Sequence, residues 1–224
     1  MKLLNPLCRM SNHPQGSEGW FKDRHLKFTG SEIYSLINER SDTLSAGAHT
    51  YIIKKIERAA YDSIYFDEIT TSDMEGGKEK EPDALSTYEL ITGVDLIDSC
   101  NFFTYNDYFG TSPDGLSTDF KRSQEVKCGN TTAHIRYLLL KTPEDLKKLT
   151  GIGKKYFYQC HSHNLCTGSE VCDFITYDDR EYKNVDTLGI LEIPYNKEIN
   201  ERILFFAELA NERMQNLLID LKLK

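Results

Sequence analysis

The hydrophobic period of this 224-residue chain changes at Gly93, and that change limits the architectures open to it. Upstream, apolar residues recur at helical spacing. A short helix is expected over residues 17–24, with Trp20 and Phe21 on its buried side. Thr29-Gly30-Ser31-Glu32 reads as a capping box that opens a helix running to about residue 38. Ile52, Ile56, Ala59, Ala60 and Ile64 predict a longer helix over residues 48–65. Residues 72–77 read as a loop, and residues 78–92 as a helix that stops at Gly93. Downstream, residues 94–105, 108–111 and 124–128 are short and rich in aromatic and β-branched side chains. They read as adjacent strands of one sheet, with Asp114-Gly115 and Gly129-Asn130 as turns. Helical spacing then returns. Thr142-Pro143-Glu144-Asp145 starts a short helix, residues 154–166 form another, and strands follow over 171–177 and 188–194. A last helix over 197–221 carries an apolar stripe of Ile199, Ile203, Phe206, Ala210, Met214, Leu217 and Leu221. Helices on either side of a strand cluster predict an α/β (α+β) fold: a central mixed β-sheet flanked by helices, in a single domain over residues 1–224.

Composition narrows the function. Apolar residues make up 39% of the chain, enough to build a core, and no apolar run approaches a membrane span. Residues 1–8 are too short and too weakly apolar for a secretory signal, so a cytoplasmic protein without membrane association is expected. The six cysteines are scattered, which predicts reduced thiols rather than a disulfide framework. A net charge of -8 argues against a passive nucleic-acid coat protein, which shows its phosphate footprint as excess Lys and Arg. An acidic chain can still act on DNA where basic groups line a channel and carboxylates hold a metal.

Ser112-Pro113-Asp114-Gly115 and Glu125-Val126-Lys127 supply such a set. If residues 108–111 and 124–128 pair as strands, Asp114 falls at a strand end beside the second strand. Glu125 and Lys127 are two apart and share a strand face. Two carboxylates and one ammonium are costly to gather unless a cation neutralises the excess charge. Oxygen-only ligands favour Mg²⁺, with Asp114, Glu125 and the carbonyl of Val126 as ligands. Lys127 is placed to orient a water or to stabilise charge developing on a phosphoryl group.

The order Asp, then Glu-x-Lys, resembles the signature of the PD-(D/E)XK nucleases, and further segments resemble their lambda exonuclease branch, the YqaJ-type viral recombinases. Trp20-x-x-x-Arg24 with Thr29-Gly30-Ser31-Glu32 is similar to that family's first motif. The resemblance implies that Arg24 and Ser31 contact a DNA phosphate. Gly77-Lys78-Glu79-Lys80-Glu81 resembles the helix carrying a third acidic residue, which makes Glu81 a metal and catalytic candidate. Tyr158-Gln159-Cys160-His161, ending at Thr167-Gly168, resembles the late helix, implying a phosphate contact for Gln159. His161 stands where the family often has the second Gln of Gln-x-Gln, aimed at the active site. The family implies a restriction-endonuclease-like core and an exonuclease that digests one strand of linear duplex DNA from its 5′ end. It also implies Mg²⁺ (Mn²⁺ substituting), a homotrimeric ring, a single-strand annealing partner, and a phage or viral origin within a host cell. An endonuclease acting at structured or internal sites, and a non-catalytic binder of DNA ends, are the alternatives.

Two other features have plainer readings. The run Cys160-His161-Ser162-His163-Asn164-Leu165-Cys166 has no usual zinc spacing on a helix and reads as packing. Lys147, Lys148, Lys154 and Lys155 read as surface, or as a phosphate track beside the site.

Overall fold

The computed structural model describes residues 8–60, 72–180 and 185–223, and the side chains of these except 58, 59 and 72–78. Helices α1 (Glu18–Asp23) and α2 (Ala48–Ala60) precede α3 (Ser72–Thr92). Strands β1 (Arg9–Met10) and β2 (Phe28–Thr29) lie among them, followed by β3 (Phe103–Asn106) and β4 (Phe109–Thr111). Next come β5 (Gly115–Leu116), β6 (Arg122–Lys127), α4 (Thr131–Leu138), α5 (Pro143–Lys148) and α6 (Gly153–Thr167). β7 (Val171–Tyr177), β8 (Leu188–Pro194) and α7 (Lys197–Asp220) complete the fold.

The strands form two four-stranded mixed sheets, β1-β3-β4-β2 and β5-β6-β7-β8, rather than the one sheet expected. β4 and β6 do not pair. β4 lies between β3 and β2, whereas β6 runs parallel to β7 with Glu125 opposite Phe174. Strand alternation then sorts the second sheet into two faces. Cys172 and Phe174 pack with Cys160 of α6 and Leu146 of α5. Val126, Ile175 and Tyr177 pack instead with Ala84 and Tyr88 of α3. The largest core joins the first sheet to α2, α6 and α7 through Phe28, Ile52, Phe103, Phe109, Phe157, Ile203 and Phe206. Helix α6 therefore sits between both sheets, and every residue from Phe157 to Thr167 is buried.

Local signals behave as their chemistry dictates in most places. Ser17 caps α1 by accepting from the Trp20 N–H. Thr142 and Asp145 form a reciprocal capping box at α5, with Pro143 in its first turn, an arrangement that contributes about 1 kcal/mol. Two expectations fail. Thr29 belongs to β2, and its hydroxyl lies 3.2 Å from Ser31 Oγ and 3.3 Å from the Tyr51 hydroxyl, so it caps nothing. Only a 3₁₀ turn, Ile33–Ser35, follows, and its Glu32 cap makes no side-chain capping bond. Residues 72–77 are the first turns of α3 rather than a loop, because the helix anchored at Ala84 and Tyr88 propagates through weak formers. Of the helix expected over 48–65, α2 covers Ala48–Ala60, and residues 61–65 lie outside the described residues. The cysteines are free among the described residues.

Candidate active site

The turn between β4 and β5 is strapped to β6. The Asp114 N–H donates to the Gln124 carbonyl at 3.0 Å, and Asp114 Oδ2 accepts from the Val126 N–H at 2.7 Å. Gly115 permits this approach, since a Cβ there would meet Gln124 Oε1 at 2.8 Å. Glu125 points to the α6 face and is fully buried. Its Oε2 accepts from Gln159 Nε2 at 2.8 Å and from His163 Nε2 at 2.6 Å. Its Oε1 makes no aligned hydrogen bond and is met by the Lys127 ammonium in an ion pair. Lys127 Nζ also donates to the Val126 carbonyl at 2.7 Å and lies 5.2 Å from the centroid of the Tyr156 ring.

Charge is in deficit here. Burial opposes ionisation of Glu125, but the Lys127 charge and the His163 hydrogen bond hold its carboxyl below the usual range. Burial and the neighbouring Glu125 push Asp114 up to about 6, even with Lys127 close by. Burial disfavours the Lys127 ammonium, but the two carboxylates outweigh this and raise its pKa. One ammonium does not balance two desolvated carboxylates. A divalent cation fits this donor set: Asp114, Glu125 Oε1 and the Val126 carbonyl are hard oxygens on one edge. Among the described residues no three His, Cys, Asp or Glu side chains converge as a metal cage. Mg²⁺ does not require one, because it keeps several waters and takes one or two carboxylates.

The other predicted residues fall around this centre. Glu81, on α3, lines a cavity of about 400 Å³ together with Asp114, Glu89 and Asp98, so it shares the mouth of the site without joining the close set. Its charge also bears on Cys128, whose thiol burial and Glu81 together push up to about 12. Arg24 follows the last turn of α1. Its guanidinium stacks on Trp20, 4.0 Å from the ring centroid, and donates to Ser112 Oγ at 3.3 Å. Ser31 lies beside β2, its hydroxyl 3.2 Å from Thr29 Oγ1.

Two expectations need correction. His161 is not aimed at the site. It packs edge-on to Phe157 at 4.6 Å between ring centroids, and both ring nitrogens are buried without a hydrogen-bond partner among the described residues. Gln159 is buried and spends its amide on Glu125, so it is no open phosphate contact. Helix phase is the reason: residues 159 and 163 share a face, and 161 is turned away. His163 and Tyr156 were missed, and Ser112 was read only as part of its motif, without a role of its own. The four-residue spacing of Gln159 and His163 was the signal available for the first. Three of the four lysines of the patch are engaged locally, Lys147 and Lys154 with Glu39 at 2.7 and 3.3 Å, and Lys155 with Glu32 at 3.4 Å.

Two mixed sheets around a buried helix thus bring Asp114 and Glu125-Val126-Lys127 together at one strand edge. Residues 19–170 match the model of the YqaJ-like viral recombinase domain, and the chain belongs to that family. It is similar in structure to an alkaline exonuclease (LHK-Exo) from Laribacter hongkongensis, with 24% identity and a TM-score of 0.70, covering 92% of this chain and 98% of that one. The same exonuclease in complex with dAMP matches at 25% identity, TM-score 0.70 and the same coverage. A phage-related exonuclease from Haemophilus somnus 129PT matches at 12% identity and a TM-score of 0.71, over 90% of this chain and 99% of that one. No curated protein matches the chain.

Proposed function

We propose that this chain is a Mg²⁺-dependent exonuclease that enters at ends of duplex DNA and removes one strand in the 5′ to 3′ direction. The observation that carries the nuclease reading is the convergence of Asp114, Glu125 and Lys127, with two carboxylates under-compensated by one ammonium. Asp114, Glu125 and the Val126 carbonyl would hold the ion, and Glu81 would border it across the cavity. When bound, the ion supplies Lewis acidity and a lowered pKa for water. Lys127 is the general electrostatic partner. Its ammonium orients the attacking water and offsets charge on the non-bridging phosphoryl oxygens. In the hydrolysis a water oxygen–phosphorus bond forms and the P–O3′ bond breaks. The released nucleotide keeps a 3′-hydroxyl, and the shortened strand keeps a 5′-phosphate.

Arg24, Ser31 and Ser112 form the phosphate-binding side of the same reading. Stacking on Trp20 orients the Arg24 guanidinium, and Ser112 adjoins Asp114 in sequence, so a phosphate held there lies next to the carboxylates. The likeness to exonucleases over most of the chain supports action at ends, and family membership supports the polarity, a three-subunit ring, a single-strand annealing partner and a phage origin. Mn²⁺ is expected to substitute for Mg²⁺. Linear duplexes labelled at the 5′ or the 3′ end, digested with Mg²⁺, test the proposal. Early release of the 5′ label with covalently closed circles left intact is the expected result. Nicked circles would replace it with an endonuclease, and first release of the 3′ label would reverse the polarity.

A further inference from the structure

Glu125 is held by a short chain of buried groups that crosses from one sheet to the other. Thr111 is the last residue of β4, in the first sheet, and is 1% exposed. Its Oγ1 lies 2.8 Å from His163 Nδ1, and His163 Nε2 lies 2.6 Å from Glu125 Oε2 on β6, in the second sheet. His163 is itself fully buried. A carboxylate can only accept, so Nε2 must carry the proton. Nδ1 is then the position that meets the Thr111 hydroxyl, and in the neutral ring it accepts from it.

We propose that His163 is a positioning residue for Glu125: with Thr111 behind it, it occupies Oε2 and so turns Oε1 toward Lys127 and the candidate metal position. This rests on the metal reading above. Three observations support it. Gln159 and His163 take the same oxygen, leaving the other to the site. The chain links β4, whose continuation carries Asp114, to β6, which carries Glu125, and so helps set the spacing of the two carboxylates. The packing around it leaves no slack. A Cβ on Gly30 would lie 2.5 Å from Thr111 Oγ1 and 2.9 Å from Ser162 Cβ, so the Thr29-Gly30-Ser31 segment presses directly on Thr111. Groups that orient a metal ligand through its unused atom commonly govern affinity by about 10–100-fold.

The test uses the full chain stripped of divalent ions, with Mn²⁺ titrated alone and free Mn²⁺ followed by electron paramagnetic resonance. Melting curves accompany each variant. His163→Leu should weaken Mn²⁺ binding by about 10–100-fold. His163→Gln should recover most of the loss, because its amide N–H can replace Nε2–H. Thr111→Val should give a smaller loss. With DNA present, raised Mg²⁺ should restore much of the rate to His163→Leu and none to Lys127→Ala. Wild-type affinity in folded His163→Leu, or no recovery in His163→Gln, overturns the proposal. Should His163→Leu fail to fold, nitrogen-15 spectra of the wild-type imidazole decide: a proton on Nε2 supports the assignment and a bare Nε2 overturns it. Glu125→Ala separates the two readings. Unchanged Mn²⁺ binding in that variant removes the metal site itself, whereas lost binding there with an unaffected His163→Leu removes His163 alone.

Discussion

Strand β6 carries two charged clusters, one on each face, and they are built to opposite rules. On the α3 face, Arg122 reaches Asp173 with two bonds, Nε to Oδ2 at 2.8 Å and Nη2 to Oδ1 at 2.5 Å. The Tyr88 hydroxyl donates to the same Oδ2 at 2.6 Å, and Glu192 meets the guanidinium from the rim. Both oxygens of this buried carboxylate have donors, and its charge is matched by the guanidinium, while the second carboxylate, Glu192, is 63% exposed to water. On the α6 face, Glu125 and Asp114 share one ammonium, and one Glu125 oxygen is left to the ion pair alone. A structural charge cluster is closed by its own chain. The other is left short of positive charge, and under the proposed function that shortfall is where a cation and a phosphate would enter.

Substitutions on the two faces should therefore separate activity from stability. Lys127→Ala should lower Mg²⁺-dependent loss of linear duplex by about 10²–10³-fold at temperatures where the variant stays folded, the size seen for removing one preorganised donor. A rate within a few-fold of wild type would break the comparison on its functional side. Arg122→Ala should do the reverse. It strands a buried carboxylate and should cost about 3 kcal/mol in denaturant unfolding, while activity at low temperature persists.

The charge deficit also carries a pH signature. Burial and Glu125 hold the Asp114 carboxyl at about 6 in the fold, above its ordinary 3.8. The folded state thus binds more protons than the unfolded chain between these values. In the metal-free protein, the stability this group contributes is present below 3.8 and is lost as pH rises through about 6. Mg²⁺ should raise the melting temperature more at pH 7.5 than at pH 5, and Asp114→Asn should abolish that difference. An equal Mg²⁺ effect at both pH values would contradict it.

His161 provides the smallest effect and a contrast with His163. Burial, with Lys147 nearby, depresses its pKa to about 4 from 6.5. Its neutral form is favoured in the fold, so its contribution is complete above 6.5 and is lost as pH falls toward 4. His161→Leu should flatten the acid limb of the stability profile without altering Mn²⁺ affinity. A change in affinity would bring His161 back into the site.

The comparison also explains what was legible in sequence. Glu125 and Lys127 were readable because a carboxylate and an ammonium at alternate strand positions share a face, and Asp114 because its turn precedes that strand within one hairpin. The final helix and β7–β8 were readable because one period ran through each. The partner of β6 was not, since β7 lies beyond three helices and pairing at that distance leaves no local trace. Helix α4 went unseen because its cap, Asn130, also reads as a turn residue, and Thr-Thr-Ala-His-Ile-Arg-Tyr-Leu mixes β-branched and helix-forming types. The choice between His161 and His163 was a matter of helix phase, which the contact between Gln159 and Glu125 settles only in three dimensions.

The enclosure of α6 has a consequence in time. From Phe157 onward the helix has no face toward solvent and cannot fray outward, and its polar face of Gln159, His163, Asn164 and Thr167 gives it little reason to form alone. Its backbone amides should be among the last to exchange with deuterium, on the schedule of global unfolding rather than local opening. The histidine that holds Glu125 thus rides on the slowest part of the molecule.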